Sequence, residues 1–341
     1  MDVQRRKLGI IGAGGWGTAL ALHTARLGFD VQVWMWEADL CEALKRTREN
    51  QNYLPGFTLP EDVRFTSVLA DAVSGPKILI LAAPSHVMRG ILRDVKPHLD
   101  DACTLLNAAK GIESDTLLRM SEVAYEVLGE EIRSRFATLS GPSFAAEVAS
   151  NEPTVVAVAS ENEALASGLR TALSSRTFRI YSTTDIVGVE LGGALKNVIA
   201  LATGIVQGLG LGYNTQAALV TRGLVEITRL AVARGARMET LMGAAGMGDL
   251  FLTCTGPLSR NRQVGERLGR GESLKEILAS MRMVAEGVQT AKAAHQLAEQ
   301  HGIEMPITKE VFRVLYEGVT AQDALETLLA REPKEEGLRI P

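Results

Sequence analysis

Residues 7–28, KLGIIGAGGWGTALALHTARLG, decide the fold of this chain. Lys7–Ile11 is a short apolar run of strand type. Gly12, Gly14 and Gly17 then complete a GxGxxG turn, and residues 18–28 read as a helix ending at Gly28. Strand, glycine turn and helix stand in the order of a dinucleotide fingerprint. Gly12 permits the tight turn, Gly14 lets backbone approach a pyrophosphate, and Gly17 lets the helix lie close on the strand. The helix N-terminus adds unpaired N–H groups and a partial positive charge for the phosphates. A second strand, residues 31–36 (VQVWMW), leads into Glu37, about twenty residues after Gly17, where a carboxylate would hold an adenosine ribose hydroxyl. A glycine-rich turn of some other α/β protein is the alternative.

Further along, residues 39–49 read as a polar helix and residues 50–60 as a loop marked by Pro55, Gly56 and Pro60. Residues 64–67, 77–83, 102–109, 137–140, 154–159 and 178–181 read as strands, and after Thr183 helical periods dominate. The expected fold is α/β, a Rossmann-type doubly wound, mostly parallel sheet over residues 1–187. An all-helical domain follows over residues 188–331, then a frayed tail over 332–341. In such a sheet the carboxyl ends of successive strands share one crevice. Pro84, Lys110 and Gly141–Ser143 are therefore expected at the nicotinamide end of a cofactor. A solvated loop lysine and an N-cap serine are the alternatives for Lys110 and Ser143, and His86 reads as structural.

The helical part centres on Lys196, in GVELGGALKNVIALATGIVQG (188–208). Leu191, Leu195, Val198, Ile199, Ala202 and Ile205 recur at helical spacing, and Gly192 and Gly193 lie on the face of Lys196. Each glycine weakens a helix by roughly 1 kcal/mol relative to alanine, which implies that something approaches the backbone there. A desolvated lysine loses basicity and exchanges protons near neutrality; a lysine snorkelling to water is the alternative. Met242–Asp249 is glycine-rich and ends in a carboxylate. Ser259-Arg260-Asn261 follows a Gly-Pro turn, and a hydroxyl, a guanidinium and an amide at a helix start suit a phosphate dianion. An ordinary capped helix with a surface arginine is the bland reading.

The 341 residues exceed one ordinary core, so two domains are expected, and 46% hydrophobic, 22% charged residues with a net charge of −4 describe a soluble globular protein without a basic excess for nucleic acid. Cys41, Cys103 and Cys254 match no metal pattern and suggest a reducing compartment. No secretory leader and no membrane span are read, so the cytoplasm is the expected location.

In combination, IGAGGWGTALA, APSH, AAKGIE, LSGPSFAAEV, VELGGALKNVIA, AAGMGDLFLTCTGPLSRNRQVG, VAEGVQT and EMPIT resemble the bacterial NAD(P)-dependent glycerol-3-phosphate dehydrogenases over residues 10–308. The resemblance implies interconversion of sn-glycerol 3-phosphate and dihydroxyacetone phosphate, feeding phospholipid synthesis, by a homodimer. It implies Lys196 as proton donor and acceptor, assisted by Asn197 and Lys110, with Asp249 completing the pocket. Gly141, Ser143, Ser259, Arg260 and Asn261 would hold substrate. Gly15, Trp16, Lys110, Ala145, Arg260, Val284 and Glu286 would line the cofactor. One stretch departs from the family pattern. Many members carry a basic residue after the second strand, whereas this chain reads Trp34-Met35-Trp36-Glu37, which favours NAD(H) over NADP(H). The rivals are a β-hydroxyacid or 6-phosphogluconate type dehydrogenase and a non-catalytic dinucleotide sensor. The SRN tripeptide and LGGALKN argue against the first, and the set of Lys110, Lys196, Asp249 and Arg260 against the second.

Overall fold

Short apolar runs bounded by glycine, proline or serine become the strands, and they are too hydrophobic to leave either face wet. In the computed structural model, which describes residues 6–281, 285–333 and 335, ten strands form. They are β1 (Lys7–Ile11), β2 (Asp30–Trp34), β3 (Glu49–Asn50), β4 (Leu54–Thr58), β5 (Val63–Thr66), β6 (Ile78–Leu81), β7 (Thr104–Asn107), β8 (Phe136–Ser140), β9 (Thr154–Ala159) and β10 (Phe178–Thr183). The chain divides into two compact units, Met1–Ala109 with Met120–Ile186, and Lys110–Arg119 with Val187–Pro341. A single cut at 187 does not anticipate the excursion of residues 110–119.

In the first unit, eight strands make one sheet in the order β10-β9-β8-β7-β6-β1-β2-β5. Every neighbouring pair is parallel except β8 and β9. The order reverses between β1 and β6, and in doubly wound sheets ligands bind at that switch. Ile10, Val31, Val33, Leu79, Ile80 and Leu106 are buried in the sheet. The structure amends two local expectations and one alternative. The expected loop 50–60 contains a small antiparallel hairpin, β3 with β4. The second strand stops at Trp34, because Glu37 is already the extended residue before the helix Ala38–Thr47. Phe144, not Ser143, is the N-cap of the short helix Ala145–Ala149.

The second unit is built on the 23-residue helix Ile186–Gly208. By length and composition it could cross a membrane, but 94% of its most apolar window is buried within the protein, so it serves as a core helix. Its C-terminal half crosses the helix Arg260–Gly269 at backbone contact. A Cβ on Gly204 would lie 2.1 Å from the Arg262 carbonyl oxygen, and one on Gly265 would lie 2.1 Å from that of Leu201. Here the glycines trade helix propensity for close approach.

The helix Tyr213–Ala233 carries one buried acid, Glu226. Its carboxyl accepts from Ile307 N (2.7 Å), Thr308 N (3.1 Å) and Thr308 Oγ1 (3.0 Å), and so caps the helix Pro306–Tyr316 from outside. Burial pushes this carboxyl up to about 7, although the three donors favour its ionised form. With the folded pKa raised, the stabilising proton is present below the usual 4.5 and lost as pH rises through about 7. The unfolding free energy of the parent relative to Glu226→Gln is therefore expected to fall by roughly 2–3 kcal/mol between pH 5 and pH 8. Urea unfolding of both proteins at the two pH values measures it, and a pH-independent difference would refute the raised pKa.

Candidate active site

Lys196 lies in the middle of the core helix and is 7% exposed. A Cβ on Gly192, one turn earlier, would lie 2.7 Å from the carbonyl oxygen of Ala245. What comes close beside the lysine is thus the protein's own π-helical turn, Ala244–Gly248, which ends at Asp249. The Lys196 ammonium donates to Asp249 Oδ1 and, at 2.8 Å, to Thr253 Oγ1. The Thr253 hydroxyl donates onward to the Asp249 carbonyl at 2.6 Å. Lys110, in the excursion 110–119, donates to the other oxygen, Asp249 Oδ2, at 2.6 Å. One carboxylate, 1% exposed, thus holds two ammonium groups.

Burial pushes Lys196 down to about 8; Asp249 opposes that and the Lys110 charge adds to it. Burial alone would raise the Asp249 carboxyl, yet the Lys110 and Lys196 charges outweigh it and hold it below the usual carboxylate value. Lysine poised near neutrality against a fixed carboxylate can give or take a proton in the working pH range.

Asn197 is also buried, and its Oδ1 accepts from Asn261 Nδ2 at 2.9 Å. The Asn261 Oδ1 in turn accepts from Gly287 N at 3.0 Å. Ser259 is the N-cap of the helix Arg260–Gly269, its hydroxyl accepting from Arg262 N at 3.3 Å. Two members of the tripeptide thus brace the helix start. Arg260 is the exposed one, with the charge of Glu286, first residue of the next long helix, acting on it. Val284 falls outside the described residues.

In the sheet unit the glycine turn fits a dinucleotide. Gly12 has φ +108°, a value that L side chains rarely adopt. A Cβ at Gly14 would meet nothing within 4 Å, so the turn is open there, whereas one at Gly17 would lie 1.9 Å from the Gly12 carbonyl oxygen. The helix Gly15–Arg26 has no side-chain cap, and its first N–H groups are the expected phosphate donors. Trp16 Nε1 is buried without a hydrogen-bond partner, a donor matched to a polar ligand. Ala145 is a neighbour of Gly15, 3.7 Å from where its Cβ would stand. At the carboxyl end of β8, Gly141 has φ +144° and accepts from the Ser143 hydroxyl at 2.9 Å. Trp36 is 81% exposed, and Glu37 accepts from the Tyr53 hydroxyl at 3.0 Å.

Comparison with known proteins decides the family. The family model described as NAD-dependent glycerol-3-phosphate dehydrogenase N-terminus matches residues 7–166, and its C-terminus counterpart matches residues 185–326. The chain belongs to the NAD-dependent glycerol-3-phosphate dehydrogenase family. A relative in Geobacter sulfurreducens, named glycerol-3-phosphate dehydrogenase (NAD(P)+), is 52% identical over 97% of this chain and 98% of its own. One of the same name in Syntrophotalea carbinolica is 52% identical over 96% and 99%. The crystal structure of glycerol-3-phosphate dehydrogenase from Coxiella burnetii superposes with a TM-score of 0.91 at 40% identity, over 96% of this chain and 99% of that one.

Within this dehydrogenase frame, three polar residues escaped the sequence reading. Thr253 is one turn after Asp249, and only its contact with Lys196 marks it. Asn50 is fully buried and donates to Ala13 O and Thr18 Oγ1, both at 2.8 Å, which pins the glycine turn from the unforeseen hairpin. Tyr53, from the same hairpin, supplies the hydroxyl on Glu37. An asparagine amid a turn-rich stretch signals a turn before it signals a brace.

Proposed function

We propose that this chain interconverts sn-glycerol 3-phosphate and dihydroxyacetone phosphate with a nicotinamide dinucleotide, and that Lys196 is the group that gives and takes the proton. The observation that carries this reading is the buried carboxylate of Asp249 shared by Lys196 and Lys110. Among the described residues Lys196 donates to Asp249 and Thr253, which leaves a third ammonium N–H for the substrate oxygen. In the reducing direction the ammonium stabilises charge developing on that oxygen and then delivers the proton. Lys110 adds positive charge, while Asn197 and Asn261 hold the helix starts rigid around it. Arg260, with the helix N-terminus it opens, anchors the remote phosphate, and that binding energy orients the reacting carbon. Gly141 and Ser143 are further substrate contacts.

The glycine turn with Trp16, Trp36, Glu37, Ala145, Arg260 and Glu286 holds the dinucleotide, which supplies or accepts the hydride when bound. The product serves phospholipid synthesis, and the enzyme works as a homodimer in the cytoplasm, as the family resemblance implies. Loss of NADH absorbance with dihydroxyacetone phosphate tests the activity; no turnover with that ketone would overturn the assignment.

NADH is expected to be used more efficiently than NADPH by about tenfold or more, equivalent to roughly 1.4 kcal/mol. Glu37 accepts from a ribose hydroxyl and repels a phosphate in its place. The two arginines that follow do not offer equal relief. Arg48 is committed, its guanidinium donating to the Pro60 and Val63 carbonyls and lying 4.9 Å over the Phe65 ring. Arg46 is exposed and is the remaining candidate. The measurement is kcat/KM for both cofactors at one moderate ionic strength, since salt screens exposed charge. Equal values, or preference for NADPH, would refute the argument and point to Arg46.

A further inference from the structure

The ten residues Lys110–Arg119 leave the sheet unit after Ala109 and belong to the helical unit. They hold no helix or long strand. An isolated bridge joins Ile112 to Arg119, Glu113 N donates to Leu118 O at 3.0 Å, and Leu117 N donates to Glu113 O at 2.9 Å. Ile112 and Leu117 sink into the helical core, and Leu117 is held at φ +60°, a backbone state that persists only where the surroundings impose it. Each end of the loop is tied by a cation. At the start, Lys110 meets Asp249. At the end, Arg119 donates through Nη1 to Glu190 Oε2 at 2.7 Å, with the two residues 8% and 6% exposed. Glu190 precedes Lys196 by six residues on the same helix, a rise of about 9 Å.

We propose that the Arg119–Glu190 ion pair is a positioning clamp that fixes the Lys110 loop to the helix of Lys196 and so brings both ammonium groups to one carboxylate. The inference rests on the roles proposed above for Lys110 and Lys196. A buried ion pair is a poor source of net stability, but its geometry is exacting and it specifies one arrangement over others. Apolar contacts at Ile112 and Leu117 hold the loop down without fixing its register; the directional bond from Arg119 Nη1 to Glu190 Oε2, in a buried setting, does fix it. The groups facing Lys196 are Asp249, Thr253, Lys110 and Cys254. Withdrawing Lys110 removes a like charge, so the Lys196 midpoint moves up.

The test compares Glu190→Gln, Arg119→Lys and the double variant Arg119→Met with Glu190→Leu, which keeps an apolar filling, in ketone reduction across pH. Glu190→Gln and the double variant are expected to lower kcat by about 10- to 100-fold, the scale of a small misplacement of a reacting group. They should also shift the alkaline limb to higher pH. Arg119→Lys should return partway to the parental profile. Parental kcat and pH midpoint in Glu190→Gln and the double variant would overturn the clamp. So would an activity loss that tracks a lower unfolding midpoint, equal in Arg119→Lys, with the pH limb unmoved. Lys110→Ala separates the failures. If it behaves as the parent, the role of Lys110 and the clamp fall together; if it is impaired while Glu190→Gln is parental, the clamp alone falls.

Discussion

Lys196→Met is expected to lower kcat by about 10² to 10⁴, the usual worth of positioned acid–base catalysis. Methionine is close to the lysine stem in length and volume, so the loss measures the ammonium group and not a cavity. Cofactor affinity should stay near parental, because the dinucleotide turn lies elsewhere in the chain. The parent also carries a signature. With Lys196 pushed down to about 8, ketone reduction, which needs the charged form, falls as pH rises through that value. Alcohol oxidation needs the neutral amine and rises over the same range. Steady-state rates in both directions from pH 6 to about pH 10, with a cofactor titration for the variant, check this. Near-parental turnover in Lys196→Met would remove the lysine from the mechanism.

Arg260→Ala is expected to cost roughly 2–5 kcal/mol in kcat/KM, the range for truncating a buried charged partner, since the bound substrate phosphate would cover the guanidinium. The structure sharpens why one residue of the tripeptide should carry so much. The Ser259 hydroxyl already caps Arg262 N, and the Asn261 amide is stretched between Asn197 and Gly287. Arg260 alone is exposed at the helix start, with its guanidinium set against the charge of Glu286. Unphosphorylated dihydroxyacetone should be a poor substrate for parent and variant alike. Rates on the two ketones at saturating NADH make the comparison, saturation limiting the part played by any cofactor contact of Arg260. An equal loss on both would mean that Arg260 does not read the phosphate.

Much of the architecture could be read residue by residue. The run 7–11 and the glycines at 12, 14 and 17 identify a strand, a tight turn and a helix start, since each depends on a few neighbouring residues. The apolar runs at 77–83 and 102–109 likewise mark buried parallel strands, although the strands end a residue or more inside those runs. The hairpin around Asn50 and Tyr53 was not legible. Its strands are two and five residues long and its proline and glycine speak for a loop, so tertiary contact with the glycine turn overrides local propensity.

For Lys196 the sequence alone established that a cation sits on an apolar, glycine-faced helix, because the 3.6-residue period is a local property. Which groups surround that cation was decided only in three dimensions. Asp249 lies 53 residues from Lys196 and 139 from Lys110, and nothing in a linear pattern encodes that both lysines end on its two oxygens. Lys110 follows the carboxyl end of β7 by three residues, as the sequence implies, and what the sequence does not encode is that the 110–119 loop belongs to the helical unit. The same holds for the backbone approach that Gly192 permits: the sequence implied a visitor, and packing made it Ala245. Periodicity and turn chemistry act over a few residues, whereas burial, charge pairing and the pKa shifts they cause depend on which distant segments meet.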